Sequence, residues 1–238
     1  MNTTPSLSII TTTDPLAGQL PHLLDALSLL ATSQKDHYEV VIVDDLGLWE
    51  TQPFLSQHER SSLTIKPIPS ERQKGQLSAI LTGFSFAQAP LLLIIDPDLH
   101  PCVPEIPSMM QLINSDTLVV HGVRSSRPDA GYIRLLGSTV INFLIRKVTG
   151  LNIYDIGSSI TLFDRKALET ITLTGSNQRN PRLEAYLKLR NKLAIYNVKG
   201  CTSKKTPSHY KLSQLLNLSR VLLSDAIHFK IKNTHRNG

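Results

Sequence analysis

The sequence predicts an α/β fold in which helices cover both faces of a mostly parallel β-sheet. Three observations support this prediction: apolar runs recur along the chain, helical periodicity follows most of them, and two of the runs end in paired acidic residues. Strands and helices that alternate at this spacing are typical of βαβ units. A chain of 238 residues is long enough to form one such domain with a short appendage.

The first half of the chain supplies four predicted strands and two predicted helices. Uncharged runs of large aliphatic residues indicate buried strands, whereas apolar residues spaced three and four apart indicate a helix. We predict strands at LSIITTT (7–13), YEVVIVDD (38–45), SSLTIKPIP (61–69) and LLLIID (91–96), with helices at 20–33 and 76–89.

The second half continues the pattern less regularly. Residues 117–125 are predicted as a strand that ends in basic residues. Residues 133–150 are predicted as a helix closed by Gly150, because glycine commonly follows a helix end. We expect a turn, a strand and the start of a helix within 155–171, then a helix at 182–192 and a strand at 194–200.

Composition places the chain among folded globular proteins, with 41% hydrophobic and 18% charged residues. The apolar runs are far shorter than the roughly 18 residues of a membrane-spanning helix. The N-terminus lacks the basic and apolar regions of a secretory signal, so we expect no such leader. Cys102 and Cys201 lie far apart without C-x-x-C spacing, and we expect free thiols in a reducing cytoplasm.

Positive charge is concentrated towards the C-terminus. The formal net charge is +6, and the residues from Lys199 onward contain eight Lys and Arg residues against one acid, Asp225. A basic segment attracts phosphate in a lipid headgroup, a nucleotide or a nucleic acid. We do not expect nucleic-acid binding, because aromatic residues make up 5% of the chain and no DNA- or RNA-binding motif is visible.

The stretch LLLIIDPDLHP (91–101) is the most informative short motif. A buried strand stops at Asp96, and Asp98 follows after one residue, so two carboxylates lie at the end of a rigid element. They are either ordinary solvated loop acids or a metal site. Parallel sheets bind ligands at the carboxyl ends of their strands, and Asp44 and Asp45 end another strand, which favours a ligand site.

The order of these motifs resembles the family 2 glycosyltransferases with the GT-A fold. Within them it is most similar to the polyprenyl-phosphate glycosyltransferases, which include dolichol-phosphate mannose synthase and bacterial undecaprenyl-phosphate sugar transferases. The similarity covers about residues 7–227. YEVVIVDD resembles the family's nucleotide-binding strand, and KGQLSAILTGFSFAQAPLLLIIDPDL resembles its glycine loop, helix and D-x-D strand. VVHGVRSSR and residues 133–168 resemble its acceptor side.

The resemblance implies a nucleotide-sugar donor, usually a UDP- or GDP-sugar, and a polyprenyl phosphate acceptor that attacks the sugar directly with inversion. A divalent cation, Mg²⁺ or Mn²⁺, would neutralise the departing diphosphate. It further implies a GT-A domain at 1–206, with a nucleotide-sugar-binding half at 1–115 and an acceptor-side half at 116–206. Residues 207–238 would form a basic amphipathic helix and tail.

On the donor side, the resemblance implies a cation held by Asp98 as the catalytic ligand, with Asp96 serving either the metal, through water, or the ribose. His100 is either a further ligand, which would favour Mn²⁺, or a solvated loop histidine. The implied nucleotide-sugar site comprises Asp14, Asp44, Asp45, Gly75 and Asp96. For Asp44 and Asp45, the alternative is a helix cap or an ordinary loop acid. For Gly75, the alternative is an ordinary turn glycine.

On the acceptor side, the candidates for binding phosphate are Arg124, Arg127 and Arg134, and a solvated surface charge is the alternative for each of them. A planar guanidinium binds phosphate through two parallel hydrogen bonds and stays charged. The resemblance also assigns Arg134 and Asp155 to the catalytic site, but it gives Asp155 no defined chemical role. The alternative for Asp155 is a structural cap for the turn that follows it. An acceptor phosphate is already nucleophilic, so no strong general base is required.

The sequence departs from the family pattern in several places. TTTDPL (11–16) replaces a proline–x–tyrosine–asparagine–glutamate motif, Leu46 and Gly47 replace glycine-serine, and Pro97 separates the D-x-D acids. These departures leave three alternatives open: a divergent donor specificity, a glycosyltransferase with a non-lipid acceptor, and a non-catalytic membrane-associated binding protein on the same fold.

Residues 212–232 have apolar residues three and four apart and flanking lysines, which predicts an amphipathic helix. Such a helix lies either in a lipid interface or against the protein's own core. A polyprenyl acceptor favours the interface. We therefore expect the protein at the cytoplasmic face of the membrane, in peripheral contact with lipid or with a membrane partner protein.

Overall fold

The computed structural model describes residues 4–13, 18–44, 62–69, 76–124, 132–170 and 180–199, together with Arg220, Ser224 and Ile227. Seven strands rich in aliphatic residues form one sheet in this part of the chain, in the order β3-β2-β1-β4-β6-β5-β7. The strands are β1 (Leu7–Thr12), β2 (Tyr38–Asp44), β3 (Leu63–Pro69), β4 (Leu91–Ile94), β5 (Val119–Arg124), β6 (Thr161–Asp164) and β7 (Leu193–Val198).

The sheet is mostly parallel, as predicted. Four neighbouring pairs are parallel, and β6 alone runs against its neighbours β4 and β5. The α-helices that the described residues form are α1 (Leu20–Gln34), α2 (Gln76–Phe86), α3 (Ile106–Met110), α4 (Tyr132–Thr149), α5 (Arg165–Leu168) and α6 (Pro181–Lys188). In the same ranges, 3-10 helices lie at Pro97–Glu105 and Arg190–Lys192.

Helices cover both faces of the sheet because successive residues of a strand point to opposite sides. Ile9 packs in a core with residues of α1 and of the first 3-10 helix, whereas Ile10 packs in a second core with residues of α2. A Cβ atom at Gly83 of α2 would collide with the side chain of Ile10, so glycine allows this helix to approach β1 closely.

The carboxyl ends of β1, β2, β4 and β5 lie at one edge of the sheet, because these strands share one direction. We call it the carboxyl edge. Since β6 runs the opposite way, the chain enters β6 from this edge, which brings residues 153–160 there. The strand order reverses at β1, which pairs with β2 on one side and β4 on the other, and open α/β sheets bind ligands at such a reversal.

The structure differs from the predicted elements in detail. β4 ends at Ile94, before Asp96, and a nine-residue 3-10 helix that the sequence analysis did not predict begins at Pro97. The helix predicted at 182–192 ends at Lys188 and is followed by the second 3-10 helix. Of the predicted C-terminal helix, Arg220, Ser224 and Ile227 are described, and all three are helical and exposed.

The sequence led us to expect no membrane-spanning helix and free cysteine thiols. Within the described ranges, no helix combines the length and the apolar character that a bilayer crossing requires. Cys102 is fully buried and disulfide-bonded, so the expectation of a free thiol is wrong for this residue. Cys201, the other cysteine of the chain, lies outside the described residues.

Candidate active site

Side chains join the ends of β1 and β2 at the carboxyl edge. Thr13, which follows β1, donates its hydroxyl to Oδ1 of Asp44 at 2.9 Å, and its backbone N–H donates to the carbonyl of Val43 at 3.2 Å. Asp44 is the last residue of β2 and is only 3% exposed. Its carboxylate is therefore oriented by the protein itself, and its role in nucleotide binding stays a prediction.

The acids of the D-x-D motif follow β4, beside β1. Asp96 is half-buried, and its backbone N–H donates to Oγ of Ser159 at 3.3 Å. Its side chain does not cap the 3-10 helix that follows. Asp98 lies in the first turn of that helix and is exposed. Both acids thus lie at the reversal of strand order, where the sequence pattern placed a ligand.

His100 packs against α1. Its ring centroid lies 5.4 Å from that of His22, and its Nδ1–H donates to the carbonyl of Pro97 at 3.3 Å. Burial lowers the pKa of His100, the hydrogen bond to Pro97 opposes this shift, and the neighbouring charge of His22 adds to it. The neutral imidazole is therefore favoured.

The described residues contain no group of three or more His, Cys, Asp or Glu side chains that is arranged to hold a metal ion. Asp96, Asp98 and His100 consequently do not form a three-ligand site by themselves. Carboxylates are the hard oxygen ligands that Mg²⁺ and Mn²⁺ prefer, and Mg²⁺ in particular is often held by one or two carboxylates with substrate phosphates and water. The donor set of Asp96 and Asp98 fits a cation whose coordination a diphosphate completes.

Arg124 and Asp155 form an ion pair at the carboxyl end of β5. Nε of Arg124 lies 2.7 Å from Oδ2 of Asp155, and Nη2 lies 2.9 Å from Oδ1. The side chains are 14% and 10% exposed, respectively. Asp155 has a φ of +49°, a left-handed conformation that is uncommon outside glycine, asparagine and aspartate. The two predicted residues are therefore brought together, but the arginine fork is occupied by a carboxylate.

A buried polar network lies behind this ion pair. His121 of β5 is fully buried; its Nε2 lies 3.3 Å from the carbonyl of Tyr154, and its Nδ1 lies 2.8 Å from the hydroxyl of Tyr186. A carbonyl only accepts, so Nε2 carries the proton and Nδ1 accepts from Tyr186. The tyrosine oxygen lies 2.8 Å from Oγ1 of Thr161, which is then the donor to it. Through the hydrogen bond from His121, the network fixes the backbone carbonyl of Tyr154, the residue before Asp155.

The sequence did not predict this network or the buried arginine beside it. Arg182 is 9% exposed and donates through Nη1 to the carbonyl of Ser158 at 2.5 Å. In the part of the chain that the structure describes, its Nε and the hydroxyl of Ser158 are buried without a hydrogen-bond partner. A signal was available in the sequence, because His121, Tyr186 and Arg182 are polar residues at strand and helix positions that face a core. Only the fold shows that these residues lie next to one another.

Several predicted site residues lie outside the described ranges, and their roles stay predictions. These are Asp14, Asp45, Gly75 and Arg127. Arg134 is in the first turn of α4, and its side chain is outside what the structure describes. Besides His100, the predicted site residues whose side chains the structure describes are Asp44, Asp96, Asp98, Arg124 and Asp155, and their roles in a site also stay predictions.

Comparisons with known proteins identify the family and the fold of the chain. The model of the family named Glycosyl transferase family 2 matches residues 16–172. An undecaprenyl-phosphate 4-deoxy-4-formamido-L-arabinose transferase from Serratia proteamaculans is 28% identical over 153 residues, which cover 64% of this chain and 47% of the relative. A dodecaprenyl-phosphate galacturonate synthase from Rhizobium johnstonii is 26% identical over 159 residues, which cover 66% and 47%. The chain therefore spans about half the length of these curated relatives.

A solved structure shares the fold. The glucosyl-3-phosphoglycerate synthase of Mycobacterium tuberculosis, in complex with Mn²⁺, UDP-glucose and phosphoglyceric acid, superposes with a TM-score of 0.66. The two chains are 15% identical, and the match covers 93% of this chain and 80% of that one. This likeness confirms the predicted GT-A fold class, and the family model matches well over half of the sequence. The chain belongs to glycosyl transferase family 2.

Proposed function

We propose that this chain transfers a sugar from a nucleotide-sugar to a polyprenyl phosphate, with inversion at the anomeric carbon. The observation that carries the proposal is that Asp96 and Asp98 lie at the same edge of the sheet as the Arg124–Asp155 pair. Membership of the family supports the reaction class. Two relatives named for different sugars both carry a polyprenyl phosphate in their names, which supports the acceptor class.

In this proposal the donor lies over the ends of β1, β2 and β4. Asp96 and Asp98 would hold Mg²⁺ or Mn²⁺, which when bound supplies positive charge against the charge that grows on the leaving diphosphate. The base and ribose are assigned to Asp44 and to the residues outside the described ranges, namely Asp14, Asp45 and Gly75. His100 is left out of this ligand set, because its ring packs on His22.

The acceptor phosphate would approach from the side of β5. An oxygen of the phosphate forms a bond to the sugar C1 while the bond from C1 to the donor diphosphate breaks, and the nucleoside diphosphate leaves with the electron pair. Because Asp155 occupies its fork and compensates its charge, Arg124 is assigned to positioning the acceptor side rather than to a two-pronged grip on the phosphate. Direct contacts are assigned to Arg127 and Arg134.

The proposal keeps the expected division of the chain, with a donor half at 1–115, an acceptor half at 116–206 and a C-terminal segment at 207–238. A polyprenyl acceptor resides in a membrane, so the protein would work in peripheral contact with the cytoplasmic face, alone or with a membrane partner protein. The described helices offer no bilayer crossing of their own.

The test is to incubate the full chain with a panel of UDP- and GDP-sugars, undecaprenyl phosphate in detergent, and Mg²⁺ or Mn²⁺. Mass spectrometry of the lipid fraction should detect a sugar-phosphate lipid whose formation stops on addition of EDTA. Asp98→Ala should lower the rate by at least 100-fold. Asp116→Ala is the matched control, because this exposed aspartate lies in the turn before β5, at the opposite edge of the sheet.

The same panel, extended with glycerol phosphate and other soluble phosphates as acceptors, separates the alternatives. A sugar transferred to glycerol phosphate or another soluble phosphate, but not to the lipid, would indicate a non-lipid acceptor. If calorimetry detects binding of a nucleotide-sugar but no reaction yields a product, the chain is a non-catalytic binding protein with the GT-A fold. If the protein neither binds a nucleotide-sugar nor transfers a sugar, the proposed function is wrong.

A further inference from the structure

α4 exposes an apolar and basic face to solvent. Val140 and Phe143 are 49% and 53% exposed, and Lys147, four residues after the phenylalanine, is also exposed. Residues at this spacing lie on one side of a helix. Tyr154, 49% exposed, extends the surface, because the guanidinium of Arg146 lies 4.5 Å from the centre of its ring. We call these five residues the α4 patch.

The charge of this surface has one sign. Residues 132–154 contain Arg134, Arg146 and Lys147 and no Asp or Glu. A surface hollow beside the patch is lined by Phe143, Arg146, Lys147, Gly150, Leu151 and Asn152. Nη2 of Arg190 lies 3.4 Å from the carbonyl of Gly150, which brings a further cation to the rim of this hollow.

An isolated exposed apolar residue needs no explanation, but this combination does. Leu29 of α1 is 74% exposed, more than Val140, Phe143 or Tyr154, yet an exposed aspartate, Asp25, lies one helical turn before it. In the α4 patch, by contrast, aliphatic and aromatic side chains alternate with cations. That mixture suits the boundary between lipid headgroups and acyl chains, where apolar side chains insert and basic side chains meet phosphate.

We propose that the α4 patch is the surface through which the protein binds an anionic lipid bilayer. Phe143, Val140 and the ring of Tyr154 enter the headgroup region, while Lys147 and Arg146 pair with lipid phosphates. A protein partner would offer carboxylates to these cations, whereas the uniform positive sign and the exposed aromatic side chains match a negatively charged lipid surface.

The patch adjoins the candidate site. Tyr154 directly precedes Asp155, and the backbone N–H of Ile156 donates to Oδ1 of Asn142 of α4 at 3.0 Å. A bilayer against this helix therefore lies next to the Arg124–Asp155 pair, on the side assigned to the acceptor. The inference deepens the proposed function and rests on it for the assignment of the acceptor side, whereas vesicle binding can be measured without any reaction.

The experiment is co-sedimentation of the full chain with vesicles of phosphatidylcholine, alone or with 30% phosphatidylglycerol. We expect binding to the anionic vesicles that weakens with added salt, and little binding to the neutral ones. Lys147→Gln should weaken binding about fivefold, and Val140→Ser combined with Phe143→Ser roughly tenfold or more. Leu29→Ser is the matched control and should bind as the unchanged protein does.

Two results would overturn the inference. One is anionic vesicle binding that the α4 variants leave unchanged, which would place the membrane contact elsewhere, including the C-terminal segment. The other is a dimer, seen by light scattering, that the Val140→Ser and Phe143→Ser changes convert to a monomer without loss of vesicle binding. Thermal melts of each variant verify that it is folded.

The outcome is separable from that of the proposed function. Transfer to a water-soluble short-chain prenyl phosphate needs no bilayer, so the α4 variants should retain it at the full rate. Loss of vesicle binding with retained transfer supports the patch, whereas intact vesicle binding with no transfer under any condition contradicts the proposed function alone.

Discussion

Arg124 and Asp155 lie 31 residues apart in the chain and are joined by two hydrogen bonds of 2.7 and 2.9 Å at the carboxyl end of β5. Each had been predicted to act on its own, the arginine on phosphate and the aspartate at the catalytic site. The structure makes each the partner of the other. The pair therefore fixes the backbone and side chains at the end of β5, and its disruption should affect stability and, under the proposed function, acceptor binding together.

Asp155→Asn should lower the free energy of unfolding by about 3 kcal/mol, because it leaves the largely buried guanidinium of Arg124 without a carboxylate. If the proposed function is right, the KM for the acceptor rises more than the KM for the donor. Urea unfolding and steady-state kinetics measure the two effects. A double-mutant cycle with Arg124→Gln that gives a coupling energy below about 0.5 kcal/mol would show that the pair contributes nothing.

His121 makes stability depend on pH. Burial lowers its pKa to about 4, and the positive charge of Arg182 adds to the effect, while Asp155 and the hydrogen bond to Tyr154 oppose it. The unfolded chain, with an ordinary histidine pKa near 6.5, binds more protons between these two values. The free energy of unfolding should therefore fall by about 3 kcal/mol as the pH drops from 6.5 to 4.

Urea titrations at several pH values across that window measure this loss. His121→Gln removes the titrating group, so its stability should change less steeply with pH, although it is less stable at pH 7. An equally steep dependence in the variant would assign the pH effect to other groups, such as His100.

Glu39 is a structural carboxylate and offers a contrast. It is 1% exposed, accepts hydrogen bonds from the Ser8 hydroxyl and the Gln88 amide, and pairs with Lys66 at 2.6 Å. Burial alone raises the pKa of Glu39, but the bonds from Lys66, Ser8 and Gln88 outweigh it, so the pKa lies below its ordinary value. Its stabilisation is therefore present above the unfolded pKa and is lost as the pH falls through the folded one.

Glu39→Gln should lower the free energy of unfolding by about 2 kcal/mol at pH 7, and the difference from the unchanged protein should shrink below about pH 4. Because Glu39 lies near the start of β2, at the edge opposite the candidate site, kcat/KM should stay the same. A large fall in kcat/KM in folded protein would mean that this network reaches the site.

The disulfide of Cys102 has a chemical test. Protein purified without reductant and then denatured should show no thiol that reacts with Ellman's reagent, because the chain has two cysteines. Dithiothreitol should lower the melting temperature, since a disulfide typically contributes about 2–4 kcal/mol. Two reactive thiols per chain under these conditions would restore the original expectation of free cysteines.

Much of the fold follows from local patterns. β1, β2 and β4 are buried on both faces, and the aliphatic runs at their centres are visible in the sequence. The periodicity of α1 and α4 and the glycine after α4 likewise placed these helices to within a few residues. The 3-10 helix after the D-x-D motif escaped prediction, because prolines at positions 97, 101 and 104 suggested a loop.

By itself, the sequence determined the α/β alternation and the carboxylates that end its strands, because strand burial and strand termination depend on neighbouring residues. Only the tertiary structure decided which side chains meet. β6 is inserted antiparallel between β4 and β5, and this brings Asp155 to Arg124 and Ser159 to Asp96. Contacts between residues so far apart in the chain depend on strand order and direction, which no local pattern encodes.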